Sequence, residues 1–181
     1  MKMPDELPKT HEALGHEIDR LHESAKWSSQ GQFEQMKIWR LANLLFGLPA
    51  AVLAAISGGT GLANVHSADP SSTPAILALL SAGFGAALTT LNPSRRVTQA
   101  QAAGNAYLEV QTAARQLLNV DLVEMSFADA RAKLEELTVR RDEINKTADP
   151  PSRLEYWRAK RNLTKDGGQD YEIDNGKGGG Q

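Results

Sequence analysis

The feature that most constrains this chain is the stretch between Arg40 and Arg95, which contains no lysine or arginine and only one acid. Two apolar runs, residues 41–65 and 74–92, lie on either side of a polar segment with prolines at residues 66–73. A helix needs about 20 residues to cross ~30 Å of hydrocarbon, and both runs are long enough. The sequence therefore predicts two transmembrane helices joined by a short loop.

A buried hairpin inside a soluble helical bundle is the alternative for these runs. Pro49 and the glycines at residues 58–61 weaken the first run as a membrane helix. A helix of a soluble bundle, however, presents a polar face that recurs about every 3.6 residues. No such face can be drawn over residues 44–56 or 75–88. The membrane interpretation is favoured, although the mean hydropathy of the whole chain is only −0.39.

The basic residues that flank the two runs predict an orientation. Lys37 and Arg40 precede the first run. Arg95 and Arg96 follow the second, and the loop between the runs carries no lysine or arginine. The positive-inside rule therefore places both termini in the cytoplasm and the loop outside. No apolar core follows Lys2, so we expect no cleavable signal peptide and insertion by the first span itself.

The segments outside the two runs have helical periodicity. Apolar residues recur at spacings of three and four in residues 1–40, which predicts an amphipathic helix. This helix could run straight into the first span as one long helix, unless Gly31 interrupts it. Residues 93–163 repeat this periodicity and include Ser126 as a predicted helix N-cap. The glycine-rich residues 164–181 lack the apolar side chains needed for a core. The predicted fold class is all-α, with a two-span transmembrane hairpin, long amphipathic cytosolic helices forming a bundle, and a disordered tail.

This layout resembles the SLATT domain family. A helix leads into two apolar spans, which are followed by the exit "LNPSRR" and by "AQAAGNAYLEVQTAARQL", with Gly104 and Tyr107 in the pattern. The resemblance covers residues 10–160. It implies a two-transmembrane effector domain, associated in bacteria with nucleotide-second-messenger synthases and nucleotide-sensing domains. Such effectors are proposed to permeabilise the inner membrane in antiviral or other conflict systems, which implies a bacterial inner-membrane location.

Small residues recur at four-residue spacing in both spans. They are Gly47 and Ala51 in the first span, and Ser81, Gly85 and Thr89 in the second. Such rows let helices approach closely and can drive association in lipid. They predict a helix-packing seam, either within one hairpin or between the subunits of an oligomeric pore. No ionisable side chain lies within either span, so we expect no proton relay or ion-binding site.

Basic residues are the only candidates for binding a ligand or a lipid headgroup. They occur in two clusters, after the second span and in a later basic-aromatic segment: Arg95, Arg96, Arg158 and Arg161. They could contact anionic headgroups or a nucleotide phosphate. A solvated helix face, or packing within the protein, is the commoner outcome for a cluster like the later one. The expected membrane-interface anchors are Trp39, Arg40 and Trp157, although packing on a neighbouring helix is equally open for Trp39.

Enzymatic chemistry has little basis in this sequence. Cysteine is absent, which excludes thiol nucleophiles and cysteine metal sites. His11 and His16 are one position too far apart for the H-E-x-x-H metal motif, and "GGTG" lacks the Lys-Ser/Thr of a P-loop. The net charge of −2 offers no basis for binding nucleic acid. We expect no catalytic residue, no metal and no cofactor, apart from the nucleotide second messenger that the SLATT resemblance implies as an activator.

Two functions remain open at this point. The favoured one is an oligomeric membrane effector that permeabilises the bilayer when a nucleotide signal or a partner activates it. Its expected partners are the lipid bilayer, other copies of the chain, and a nucleotide synthase or sensor. The alternative is a membrane-anchored adaptor or sensor whose cytosolic helices recruit a partner, without pore activity.

Overall fold

The computed structural model describes residues 9–64, 72–150, 157 and 159–161, and every regular element in these ranges is helical. The elements with defined bounds are, in chain order, α1 (Lys9–Asn64), α2 (Thr73–Leu91), α3 (Pro93–Gln116), the π-turn (Leu117–Asp121) and α4 (Phe127–Thr147), and residues 157 and 159–161 are also helical. The predicted all-α class is confirmed. Most of the predicted loop, Arg158 and the tail at residues 164–181 lie outside the described residues.

The chain divides into two compact units. The first, called here the bundle unit, comprises Met1–Gln35 and Gln99–Gln181. The second, called the apolar unit, is Met36–Thr98. Both α1 and α3 contribute residues to each unit, so the division falls inside helices and not at linkers.

An apolar core holds the bundle unit together. Its members come from α1, α3, α4 and the turn between the last two, and they are Leu14, Ile18, Leu21, Ala25, Val110, Ala114, Leu117, Leu118, Leu122, Ala130 and Leu137. The α1 members recur every three or four residues, as the periodicity predicts. Burying a leucine or isoleucine side chain contributes about 1.5–3 kcal/mol, so these stripes are the main source of the unit's stability.

Local signals in the sequence set the ends of α3 and α4. The π-turn follows the end of α3, and the Leu122 N–H donates to the Leu117 carbonyl there at 2.9 Å. At the start of α4, the Asp129 N–H donates to Ser126 Oγ at 3.2 Å, which confirms the predicted N-cap. The Ser126 hydroxyl in turn donates to the Asp129 carboxylate at 2.6 Å.

The sequence left open whether Gly31 interrupts the first helix, and the structure shows no interruption: α1 is continuous from Lys9 to Asn64. Gly31 is buried together with its neighbours Gln30 and Gln32. Tertiary packing there outweighs the helix penalty of one glycine, which is about 1 kcal/mol. Pro49 also lies inside α1 without ending it.

The second half of α1 packs on α2 within the apolar unit. The Ser81 hydroxyl donates to the Ala50 carbonyl at 2.7 Å, and the Ser57 hydroxyl donates to the Pro74 carbonyl at 2.7 Å. Since residue numbers rise along α1 as they fall along α2, the two helices are antiparallel.

Asn92 forms the junction between α2 and α3. Its φ of 43° is left-handed, a conformation that asparagine tolerates better than most side chains. Its N–H donates to the Leu88 carbonyl at 2.9 Å and closes α2, while its Oδ1 accepts the Arg95 N–H at 3.4 Å and caps α3. Pro93 occupies the first helical position of α3, where a missing N–H costs nothing.

Candidate membrane-facing site

The apolar unit exposes its large side chains instead of burying them. This surface, called here the apolar belt, consists of Leu41, Leu44, Leu45, Leu48, Val52, Ile56 and Leu62 on α1, and Ile76, Leu79, Leu80 and Leu91 on α2. Leu79, for example, is 74% exposed, whereas Ile18 in the bundle unit is fully buried. The two helices are long and apolar enough to cross a membrane. The most apolar 18-residue stretch of each helix contains no buried residue.

Hydroxyl groups along the two helices donate to backbone carbonyls. Besides Ser57 and Ser81, Thr60 Oγ1 donates to the Ile56 carbonyl at 2.8 Å and Thr89 Oγ1 to the Gly85 carbonyl at 3.0 Å. In hydrocarbon, polar groups need partners within the protein, because no water is present to satisfy them. These four hydroxyls meet that requirement, because each donates its proton to a backbone carbonyl within the apolar unit.

The small residues of the predicted seam fall into two groups. Gly47 and Ser81 lie at the contact between α1 and α2, since a Cβ on Gly47 would come 3.8 Å from Leu88 Cδ1. Ala51 and Thr89 are exposed, and a Cβ on Gly85 would meet nothing within 4 Å. Part of the row is therefore used for packing within the chain, and part forms an open surface on the helices.

Two contacts join the segments that carry the basic residues on either side of the apolar runs. The Arg96 guanidinium lies 4.8 Å from the centroid of the Trp39 ring, and its Nε donates to the Leu91 carbonyl at 3.3 Å. Ser94 Oγ donates to Asn43 Oδ1 at 3.4 Å. These contacts bring the start of α3 beside the middle of α1. Lys37, Arg40, Arg95 and Arg96 are called here the cationic collar.

The second predicted basic cluster is only partly described. The Arg161 guanidinium lies 5.4 Å from the centroid of the Trp157 ring, and Trp157 is 56% exposed. The structure thus pairs an aromatic ring with a cation there, as it does at Trp39, while Arg158 lies outside the described residues.

The bundle unit also buries a polar segment that the sequence interpretation did not single out. Its buried polar side chains are Ser29, Gln30, Gln32, Glu34 and Gln35. Gln32 Nε2 donates to the Asp149 carbonyl at 2.8 Å, while Gln32 Oε1 and Gln35 Oε1 have no hydrogen-bond partner among the described residues. The sequence feature that marks this segment is "SSQGQFEQ", a polar run within an otherwise amphipathic helix that contains a single apolar side chain.

Beside that segment, Tyr107 donates its hydroxyl proton to Asn145 Oδ1 at 2.5 Å. Burial raises the pKa of the Tyr107 hydroxyl above its usual value of 10.0, and the nearby Arg141 opposes this rise. Tyr107, Asn145 and Gln32 border a cavity of 310 Å³, and none of the described residues that line it is an arginine or lysine.

A shallow groove of 550 Å³ lies between α3 and α4, lined by Leu108, Thr112 and Arg140 among others. Arg140 forms an ion pair with Glu109 across the two helices. Among the residues that the structure describes, no group of three or more histidine or acidic side chains could hold a metal ion. No protein-family model, curated protein or solved structure matches this chain.

Proposed function

We propose that this protein is a membrane effector that inserts as a two-span hairpin, assembles with other copies and permeabilises the bacterial inner membrane when activated. The observation that carries the proposal is the apolar belt, because a helical bundle in the same chain buries its own apolar side chains. Leaving apolar surface in water costs about 25 cal/mol per Å², whereas lipid accommodates it without that cost.

The orientation follows from the charges at the ends of the hairpin. The cationic collar lies at one end of the apolar unit, and the sequence of the connecting loop has no lysine or arginine. The positive-inside rule then places the collar and both termini in the cytoplasm, and the loop outside. Trp39 and Arg40 would lie at the headgroup level, where an aromatic ring and a cation anchor a helix.

The open part of the small-residue row supports assembly. In lipid, no hydrophobic force drives helices together, so close packing of small residues and hydrogen bonds takes its place. Gly85 is not used against α1, so a second copy could approach α2 closely there. The resemblance to the SLATT family adds the effector role and the nucleotide signal or partner that would trigger it.

The second candidate is a membrane-anchored adaptor whose bundle unit recruits a partner protein. The observation that favours it is the groove between α3 and α4, where Leu108 is partly exposed beside the ion pair of Arg140 with Glu109. In this case the apolar unit serves only as an anchor, and no catalytic role is assigned to either unit.

Dye release from sealed vesicles separates the two functions. The full chain is reconstituted at rising protein density, which favours assembly by mass action, with and without a panel of cyclic mono- and dinucleotides. We expect the wild type to release dye, Gly85→Leu to insert without releasing it, and Gly83→Leu to behave as wild type. Gly83 is a matched control because a Cβ there also meets nothing within 4 Å, on another face of the same helix.

Each negative result of these experiments excludes a different part of the proposal. Vesicles that stay sealed at every protein density and with every nucleotide would exclude the pore and leave the adaptor. Dye release by Gly85→Leu at the wild-type rate would exclude that face of α2 as the seam. Recovery of the chain in the supernatant after a carbonate wash would exclude membrane insertion and favour a soluble bundle.

A further inference from the structure

Two pairs of cations from distant parts of the sequence flank the apolar belt, and contacts join the segments that carry them. Lys37 and Arg40 come from α1, and Arg95 and Arg96 come from the first turn of α3. The hydrogen bond from Ser94 to Asn43 and the stacking of Arg96 on Trp39 hold the two segments together. The sequence of the apolar unit contains a single acid, Asp69, against these four cations.

The arginines of the collar differ in what they contact. Arg96 is engaged by the Trp39 ring and by the Leu91 carbonyl. Arg40 and the Arg95 guanidinium are exposed and form no ion pair with any residue that the structure describes. The guanidinium groups of Arg40 and Arg95 are thus accessible to a ligand, whereas that of Arg96 is held by its contacts.

The surroundings of the open arginines indicate what would bind them. Leu41 and Leu44, one and four residues after Arg40, are both more than half exposed and belong to the apolar belt. A soluble phosphate needs no apolar surface next to its cation site, whereas a phospholipid presents a phosphate directly above acyl chains. Guanidinium groups bind phosphate oxygens bidentately, in a geometry that matches their planar donors.

We propose that the cationic collar binds the headgroup phosphate of anionic phospholipids, with Arg40 and Arg95 as its ligands and Arg96 positioned by Trp39. This inference rests on the proposed membrane insertion and adds a lipid class to it. Anionic lipids are preferred over zwitterionic ones because the choline of the latter is repelled by the collar. Each basic residue near an anionic surface is expected to favour binding about fivefold.

Native mass spectrometry of the full chain, purified in a neutral detergent, tests the lipid preference. The delipidated protein is offered phosphatidylglycerol and phosphatidylcholine with identical acyl chains in equal amounts. We expect the wild type to retain phosphatidylglycerol with an enrichment above about tenfold, and Arg40→Gln with Arg95→Gln to lower it below about threefold. Arg40→Lys with Arg95→Lys keeps the charge and is expected to keep most of the enrichment.

The control removes two exposed cations from α4 through Arg131→Gln and Lys146→Gln, which should leave the enrichment unchanged. Equal retention of the two lipids by the wild type, or wild-type enrichment in the Gln variant, would overturn the inference. Displacement of phosphatidylglycerol by millimolar inorganic phosphate would identify a soluble-anion site instead and would also overturn it.

A carbonate wash separates this inference from the function on which it rests. Carbonate-resistant protein without a preference for phosphatidylglycerol means that the collar inference alone fails. Protein extracted by carbonate means that the proposed insertion fails, and the headgroup site fails with it.

Discussion

At the scale of single residues, Asn92 determines how α2 ends and α3 begins in the apolar unit. It ends α2 with its N–H, caps α3 with its side chain, and holds a left-handed φ of 43°. Pro93 follows it and cannot extend α2. The peptide "LNPSRR" is therefore a one-residue turn that places Arg95 and Arg96 in the first helical turn after α2.

Replacement of Asn92 should separate its two roles. Asn92→Ala loses the cap, worth about 1 kcal/mol, and introduces strain of roughly 1–2 kcal/mol in the left-handed region. We therefore expect a loss of about 2–3 kcal/mol in the free energy of unfolding. Asn92→Gly tolerates the positive φ and should lose less than about 1 kcal/mol. Denaturant unfolding in micelles measures both, and equal losses would contradict this account.

At the scale of helices, α1 and α3 approach closely where Gly104 faces Phe33. A Cβ on Gly104 would lie 2.8 Å from Phe33 Cε1 and 3.1 Å from its Cδ1, which is inside van der Waals contact. The packing of these two helices in the bundle unit therefore depends on the absence of a side chain at this position. Gly104 belongs to the pattern that led us to the SLATT resemblance, and this contact gives it a structural role.

Gly104→Ala should destabilise the bundle unit by about 1–3 kcal/mol, the usual cost of overpacking. Trimming the opposing ring with Phe33→Leu should recover part of this loss, so the two changes are expected to be non-additive in a double-mutant cycle. The control is Asn105→Ala, a change at the exposed neighbouring position, which should leave the melting temperature nearly unchanged. Additive losses would show that the Cβ of residue 104 does not meet the ring.

At the scale of the whole molecule, the chain combines a bundle unit with a buried apolar core and an apolar unit with an exposed apolar surface. A titrating group inside the bundle unit links the stability of the fold to pH. Burial lowers the pKa of His22 below its ordinary value of 6.5, with Asp19 opposing the shift and Lys26 and Arg115 reinforcing it. The folded state therefore binds a proton at this residue less readily than the unfolded state does.

This difference predicts acid destabilisation through His22. The stability that depends on neutral His22 is complete above pH 6.5 and is lost as pH falls from 6.5 through the lower pKa of the folded state. The melting temperature of the wild type should fall more than that of His22→Gln between about pH 7.5 and about pH 5.5. His16→Gln, a change at an exposed position of α1, serves as the control and should follow the wild type. Parallel curves for the wild type and His22→Gln would exclude this residue as the cause.

Local sequence patterns predicted the positions of the helices better than they predicted the contacts between helices. The core stripe of Leu14, Ile18 and Leu21 and the cap at Ser126 followed from spacing alone, because both involve residues within a turn or two of one helix. The sequence allowed one long helix but left an interruption at Gly31 open, because propensity describes an isolated helix and takes no account of the packing around it. The buried polar segment around Gln32 was missed for the same reason.

For the site, the sequence by itself determined an uncharged stretch long enough for two spanning helices, the small-residue rows and the basic residues that flank them. These are properties of composition and length along one helix. Only the tertiary structure decided that Gly47 and Ser81 pack inside the unit while Gly85 stays open, and that Arg96 stacks on Trp39. Those outcomes depend on how one helix is rotated against another, and that rotation is set by contacts between residues tens of positions apart in the chain.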